Sequence, residues 1–430
     1  MDTTNLQKSF DALLSGVSPA VGLALDRALG GADISIEEGA TLFDAQGQDL
    51  MSIVAAADHL RKKTVGDLVT YVVNRNINFT NVCVKACGFC AFSRGHLGEE
   101  GYFLPTEEVV RRAREAWDLG ATEVCVQAGL APAMDGWHYV RICEAIKNAL
   151  PDIHIHGFSP EEVLYGCNLT GASARDYLSA LKKAGVGSLP GTSAEILVDE
   201  IRERISPGRI STAQWTEIIE TAHELGIPTT STIMYGHIEN SYQKATHLAL
   251  LRAIQKRTGG ITEFVPLSFV FEEAPIYFRK RILDLRAGAT GAEVIKMYAV
   301  SRIMLNNWIP NLQVSWVKEG PKFAQISLMA GANDFGGTLM NESISTAAGA
   351  AHGQLMRPSE MRHVIREMGR TPAERSTAYK TLRVFEVDQG PDPLDKVTNP
   401  AERFGSYHEL IRQKDYRFKD FYQARKKSGL

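Results

Sequence analysis

Between residues 68 and 331, eight short apolar runs alternate with helical stretches, and this limits the chain to a few α/β architectures. The runs are YVVNRNINFT, TEVCVQ, DIHIHGF, GSLPG, TTSTIMYG, TEFVPLSF, LQVSW and ISLMAG. Apolar residues recur at helical spacing over 106–119, 138–149, 174–184, 213–225, 242–258 and 292–306. In the first of these, Thr106 is expected as the cap, with Glu107 and Glu108 in the opening turn and Gly120 as the stop. Val109, Val110, Ala113, Ala116 and Trp117 then share one face. Eight runs with helices between them fit a closed (β/α)8 barrel. A doubly wound sheet is the alternative, but no G-x-G-x-x-G or phosphate-loop pattern follows the first run. The seventh unit is the thin point of the count, because only residues 320–325 separate LQVSW from ISLMAG.

Residues 1–66 read as a helical region. Ser35 with Glu38 forms a capping box, Gly30-Gly31 marks a break, and LMSIVAAADHLRKK has helical spacing with a basic end that suits the helix dipole. Residues 67–369 are expected to form the barrel, and 370–430 a helical extension over one barrel face. That extension finishes on Tyr416, Phe418, Phe421 and Tyr422. The expected class is therefore α/β, a TIM-type (β/α)8 barrel with an N-terminal helical region and a C-terminal helical extension. At 430 residues, one large barrel or several smaller domains are allowed, and the alternation favours the barrel. Lys and Arg number 47 against 50 Asp and Glu, which gives no electrostatic reason to expect nucleic acid or an anionic membrane as partner. No apolar run is long enough to span a bilayer, and MDTTNLQKSF lacks the basic start and apolar core of a secretory signal. A cytoplasmic small-molecule enzyme is the expectation.

Six cysteines are present, and three of them, Cys83, Cys87 and Cys90, lie within eight residues. Random placement gives a C-x3-C-x2-C arrangement in roughly one such chain in a thousand. The cluster follows the first run, at the barrel end where active sites are built. Three thiolates at this spacing can hold three corners of a 4Fe–4S cluster and leave the fourth iron open to a small molecule. A structural zinc site wants four ligands, for which His96 is a candidate. A Cys87–Cys90 redox dithiol leaves Cys83 unused. Cys125 and Cys143 read as buried small apolar residues, and Cys167, after Gly166, reads as a loop thiol.

With Phe89 before the last cysteine, the motif resembles the signature of the radical S-adenosylmethionine (SAM) superfamily. That resemblance implies a 4Fe–4S cluster on Cys83, Cys87 and Cys90, with SAM as the second cofactor. There the SAM amino and carboxylate groups chelate the open iron, and cluster-driven cleavage yields a 5′-deoxyadenosyl radical. The segments NRNINFTNVC, HIHGFSPEEV, GSLPGTSAEIL, STIMYGHIE, TEFVPLSF, SWVKEG and GANDFGGTLMNESIS resemble the subgroup that builds deazaflavins and futalosine-type menaquinone precursors. Within it, MNESISTAAGAAHGQ and RSTAY are most similar to the family of the second subunit of FO synthase. The reaction implied is cleavage of the Cα–Cβ bond of L-tyrosine and addition of the 4-hydroxybenzyl group to 5-amino-6-(D-ribitylamino)uracil. The implied partners are those two substrates, an electron donor, and a partner radical SAM enzyme, FO synthase subunit 1, that closes the ring. Only one C-x3-C-x2-C cluster is present, so the chain corresponds to one half of the pair. Aminofutalosine synthase and dehypoxanthine futalosine cyclase are alternatives within the subgroup. A non-catalytic zinc or iron–sulfur protein is the alternative from another class.

The resemblance also assigns positions. It puts Phe89 near the adenine of SAM, and Gln127 with Gly129 near its amino group. The superfamily usually has Gly-Gly there, and this chain has Ala128-Gly129. Glu195 can accept hydrogen bonds from the SAM ribose or serve as a helix N-terminal charge. Arg202 can pair with the methionyl carboxylate or form a surface salt bridge. Candidate substrate contacts stand at the ends of runs: His154 and His156 with Ser159, Tyr235 with His237, Glu263, Ser315 with Lys318, and Asn333 with Asp334. His237, after Gly236, is the first choice. Alternation puts His154 and His156 on one face, either the lumen or the helix layer. A metal role for the two lacks a third ligand.

Overall fold

The structure is a computed structural model that describes residues 16–427, apart from Ala86 and Asp388. The helical reading of residues 1–15 lies outside the described residues. YVVNRNINFT belongs to two strands laid end to end, β1 (Leu68–Val72) and β2 (Asn74–Ile77). The other strands that follow runs in the sequence are β3 (Glu123–Val126), β4 (His154–His156), β5 (Val186–Ser188), β6 (Thr229–Tyr235) and β7 (Ile261–Ser268). β8 (Asp334–Gly337) closes the set.

All of these pair in parallel. β2, β3, β4 and β5 form one ladder, a Leu189–Thr229 bridge joins it to β6, and β6 pairs with β7. Single bridges at Phe264–Leu312 and Gln313–Asp334 insert the LQVSW segment as a seventh stave. β8 pairs with β1, and Arg75 bridges to Met340, so the circle closes as an eight-stave barrel. Helices 106–118, 138–149, 174–183, 212–224, 241–258 and 291–305 lie where the apolar spacing places them, within a residue or two.

The structure departs from the sequence reading in several places. ISLMAG is not a strand. It continues the helix Pro321–Ser327 into a 3-10 turn, with Leu328 and Ala330 buried while Ile326 and Met329 face solvent. Pro321 at the helix start and Gly331 at φ 96° bound this helical unit, and the eighth strand starts three residues later. Pro105 takes the cap position expected of Thr106, with no side-chain cap bond. On that helix Trp117 is exposed and Arg112 is buried in its stead. Arg112 has Glu108 one turn back to pair with at 2.8 Å, whereas Trp117 lies beyond the stripe facing the barrel. Cys167 belongs to the helix Pro160–Thr170 and is buried, and Cys125 is half-buried on β3.

The N-terminal helices pack on the barrel's outer layer. Ile36–Asp44 crosses 241–258 and 291–305 so closely that a Cβ on Gly39 would stand 2.6 Å from Met304 Sδ. The capping box of Ser35 and Glu38 is present. The tail is helical from Pro400 on, at Pro400–Phe404, Tyr407–Leu410 and Phe418–Lys427, and Phe103 packs on both Phe418 and Phe421.

Before these helices comes a hairpin that apolar spacing does not announce, β9 (Thr371–Arg375) and β10 (Thr381–Val384). β9 lies parallel to β1 on the edge away from β8. It sends Arg375, Thr377 and Tyr379 into the lumen, where Arg375 bonds Asp334 of β8 and Glu263 of β7, and Thr377 donates to Glu123 of β3 at 2.7 Å. Only the barrel interior lets one hairpin reach three separate staves. This end of the lumen is therefore sealed by a polar plug rather than by aliphatic layers.

Candidate active site

The C-terminal ends of the strands surround a cavity of about 260 Å³, lined on one side by Asn81, Cys83, Lys85, Cys87, Phe89 and Cys90. The cysteine loop follows β2 and is stitched to its surroundings by backbone bonds. Cys83 N–H donates to Arg94 O at 3.1 Å, Val84 N–H to Leu130 O at 2.9 Å, and Gly88 N–H to Ile205 O at 3.1 Å. Gly129 is needed where β3 ends, because a Cβ there would lie 2.3 Å from Val82 O. The thiols thus turn inward on a loop anchored from both flanks.

Their surroundings fit a cluster of anionic sulfurs. Lys85 N–H points at Cys83 Sγ at 3.4 Å, and Arg209 Nη1 at Cys87 Sγ at 3.3 Å. Burial pushes the Cys87 thiol up to about 12, with the Arg209 guanidinium opposing that rise. Iron binding would displace these protons, as metal binding at thiols does. His96, the zinc candidate, instead packs against Tyr422 in a tilted pair, ring centroids 5.1 Å apart. Among the described residues, no three His, Cys, Asp or Glu side chains close on a point suited to one metal ion. Three thiols lining one cavity suit a cubane, which takes three protein sulfurs and leaves one iron open, whereas a structural tetrahedral ion wants four ligands.

Phe89, Gln127, Gly129, Ser159 and Glu195 line the same cavity. Gln127 donates through Nε2 to Thr192 Oγ1 at 2.6 Å. Ser159 caps the helix Pro160–Thr170 in a capping box with Glu162. Glu195 lies in the loop after β5, where it has φ 40° and Ser193 has φ 63°, both in a region most side chains avoid.

That loop explains Arg202, which does not line the cavity. Its guanidinium is spent on the carbonyls of Ser193 (3.0 Å), Ala194, Ile196 (3.4 Å) and Ile210 (2.6 Å), and on Glu195 Oε2 at 3.3 Å. It braces the loop and has no N–H left for a methionyl carboxylate. Arg202→Ala should strip a cluster of buried carbonyls of their partner and destabilise the fold by about 2–4 kcal/mol, read by thermal unfolding.

Other expected contacts also fall outside the cavity. His237 is buried, held by Met234 O at 3.0 Å and by Ile238 N–H at 2.8 Å, and burial lowers its pKa. Tyr235 donates to Glu319 at 3.3 Å. His154 and His156 do face the lumen, but each is tied to Ser188 Oγ at 2.7 Å beneath the cavity floor, and burial drives His156 down to about 4. Asn333 and Asp334 start β8 rather than follow it, so they lie at the opposite end of the barrel. Asn333 accepts from Arg302 at 2.7 Å and Asp334 from Arg375. Their misplacement follows directly from reading ISLMAG as the last strand. Glu263 belongs to the same plug.

Four charged cavity residues pass unnoticed in the sequence: Lys85, Glu161, Glu162 and Arg209. Arg209 lies 119 residues beyond Cys90 and has no motif of its own. It reaches Glu161 and Glu195 at 3.4 Å each and lies 5.8 Å over the Phe89 ring. Glu161 also holds Lys85 at 3.3 Å and accepts Ile210 N–H at 2.7 Å. The capping signature S-P-E-E is the only sequence trace of Glu161 and Glu162. Glu162 accepts Ala128 N–H and Ser159 N–H at 2.8 Å each, and so ties the Gln127–Gly129 segment to the next stave.

Burial raises Glu162 to about 7, above its ordinary 4.5. The folded state then keeps a proton that the unfolded chain releases. The stability this group contributes is full below about pH 4.5 and declines as pH rises through 7. Glu162→Gln should therefore remove part of the fall in thermal midpoint between about pH 5 and 7.5, seen as a wild-type minus variant difference.

Residues 77–250 match the radical SAM superfamily and 258–387 the CofH/MqnC C-terminal region. The 5-amino-6-(D-ribitylamino)uracil–L-tyrosine 4-hydroxyphenyl transferase of Methanothermobacter thermautotrophicus is 48% identical over 349 residues, covering 81% of this chain and 94% of that one. This chain belongs to the radical SAM family of 5-amino-6-(D-ribitylamino)uracil–L-tyrosine 4-hydroxyphenyl transferases. A second member of the family, from Methanopyrus kandleri, is 49% identical over 351 residues, with 81% and 94% covered. Among solved structures, methylornithine synthase (PylB) aligns with TM-score 0.64 at 18% identity, covering 81% of this chain and 97% of that one. HydG, a maturase of the FeFe-hydrogenase, aligns with TM-score 0.66 at 16% identity, covering 88% and 81%. These two share the fold with the family. No helix among the described residues is long and apolar enough to cross a membrane.

Proposed function

We propose that this chain cleaves the Cα–Cβ bond of L-tyrosine and adds the 4-hydroxybenzyl fragment to 5-amino-6-(D-ribitylamino)uracil, a step in deazaflavin synthesis. The observation that carries the reading is the convergence of Cys83, Cys87 and Cys90 on one cavity, in a chain with transferase relatives 48% and 49% identical over most of its length. A 4Fe–4S cluster bound there with SAM supplies the one-electron reduction that starts radical chemistry.

The chain's own residues have supporting tasks. Cys83, Cys87 and Cys90 hold the cluster, and Arg209 steadies the Cys87 sulfur. Phe89, Gln127, Gly129 and Glu195 form the wall on which SAM would lie. Ser159 and Glu162 fix the helix start beside it. The apolar remainder of the wall, Leu130, Met234, Leu267 and Phe269 among others, keeps water from a reactive intermediate. FO synthase subunit 1 and an electron donor complete the assignment as partners.

Anaerobically reconstituted protein given dithionite, SAM, tyrosine and the uracil should release 5′-deoxyadenosine and form the tyrosine–uracil adduct, detected by mass spectrometry. Deoxyadenosine release that ignores tyrosine would end the tyrosine assignment. Turnover of futalosine-pathway substrates would move the chain to the menaquinone branch.

A further inference from the structure

Three cations line the cavity: Lys85, Arg209 and Lys318. Two are already engaged. Lys85 bonds Gly208 O and lies 3.3 Å from Glu161, and Arg209 is shared by Glu161, Glu195 and the Cys87 sulfur. Lys318 is different. It is carried by the short helix Trp316–Glu319 at the end of the seventh stave. Its backbone N–H donates to Ser315 O at 3.0 Å. Its Nζ has no hydrogen bond and no carboxylate within ion-pair distance among the described residues.

The nearest acids do not supply the missing partner. Glu342 spends one oxygen on Ser345 N–H at 2.7 Å and the other on Asn76 Nδ2, while Glu319 accepts from Tyr235. The cavity that Lys318 lines also has Leu267, Phe269, Val270, Ile344 and Ala348 in its wall. Burial there lowers the lysine pKa. An ammonium that Glu342, Glu319 and the Cys90 sulfur reach only beyond ion-pair contact is costly to bury, and an incoming anion in direct contact offsets that cost.

We propose that Lys318 is the subsite for the α-carboxylate of L-tyrosine. This rests on the tyrosine reading of the preceding section and names the group that recognises the amino acid end. The ribitylaminouracil is neutral, so only two carboxylates enter the cavity, those of SAM and of tyrosine. The SAM wall lies on staves one, two and four, the flank that also carries Arg209. Lys318 rises from stave seven, on the other flank of the cysteine loop. A charge-assisted bond at this point fixes one end of tyrosine, and with it the Cα–Cβ bond relative to the cysteine loop.

The test is equilibrium dialysis of L-tyrosine, of tyramine, which lacks the carboxylate, and of SAM against anaerobic cluster-loaded protein. Wild type should bind tyrosine more tightly than tyramine. Lys318→Met should weaken tyrosine binding about 10- to 100-fold, leaving tyramine and SAM binding unchanged. Lys318→Arg should retain part of the tyrosine affinity, and Lys318→Gln should behave as the Met variant. The thermal midpoint of Lys318→Met should match or exceed wild type, because an unpaired charge has been removed. Tyrosine binding to both neutral variants at wild-type strength overturns the subsite alone. A loss confined to SAM assigns Lys318 to the cofactor and overturns it too. A wild-type protein that binds no tyrosine overturns the parent reading with it.

Discussion

Cys87→Ala should leave a protein that folds, gains no iron–sulfur colour on reconstitution and releases no 5′-deoxyadenosine from SAM. The fold should survive because the loop is pinned by backbone bonds at Cys83, Val84 and Gly88, none of which involves the Cys87 side chain. The Sγ accepts a hydrogen bond from Arg209, which keeps Glu161 and Glu195 after the change. The catalytic loss should be complete, since two thiolates cannot hold three corners of a cubane. Iron content and deoxyadenosine yield are the readouts. Retained colour with undiminished SAM cleavage would mean that the three thiols are not the cluster ligands. Cys167→Ala is the matched control: it replaces a buried cysteine in the last turn of the helix Pro160–Thr170, a residue that does not line the cavity, and both readouts should stay at wild-type level.

Arg375→Met should destabilise the fold by about 3–5 kcal/mol. Arg375 is buried and bonds Asp334 through two nitrogens, one at 3.0 Å, and Glu263 at 3.3 Å, while the Tyr379 ring lies 4.0 Å from its guanidinium carbon. Removing it leaves two carboxylates facing each other in the lumen with no cation between them. Glu263 already shows the strain, its carboxyl raised to about 7 by burial, with Arg375 holding it down and Asp334 pushing it up. A second change, Glu263→Gln, should recover part of the loss in the Arg375→Met background, because one of the stranded charges is gone. Thermal unfolding of the single and double variants measures both effects. Equal midpoints for wild type and Arg375→Met would show that the plug does not brace the barrel.

Much of the barrel was legible because its signal is local. Helices such as His138–Ala149 and Gly291–Leu305 show apolar spacing, a capping residue or a stop within their own segment, and β3, β4, β6 and β7 are apolar runs between turn residues. The eighth strand was missed because Asp334–Gly337 reads DFGG, with one large apolar side chain in four residues. Its role comes from Gly337 lying against Asn74 and Asp334 meeting Arg375, contacts with residues far away in the chain. The apolar ISLMAG was the stronger strand signal and was helical, since a short apolar run carries no periodicity of its own. That single error carried Asn333 and Asp334 to the wrong end of the barrel.

The chemistry divides along the same line. A group of three cysteines within eight residues is local and improbable by chance, so the sequence alone determined the cysteine loop, the barrel class and, through resemblance, the radical SAM family. Which distant side chains serve that loop was decided only by the tertiary structure. Arg202 and Arg209 are seven residues apart on similar ground, yet one faces backbone carbonyls and the other faces Cys87. Their roles are set by where the loop after β5 folds back, and charge in low dielectric is governed by distance and burial rather than by position in the chain. The same holds for Lys318, an ordinary lysine in the sequence, which becomes a buried cation with no carboxylate in ion-pair contact only when the barrel walls it in.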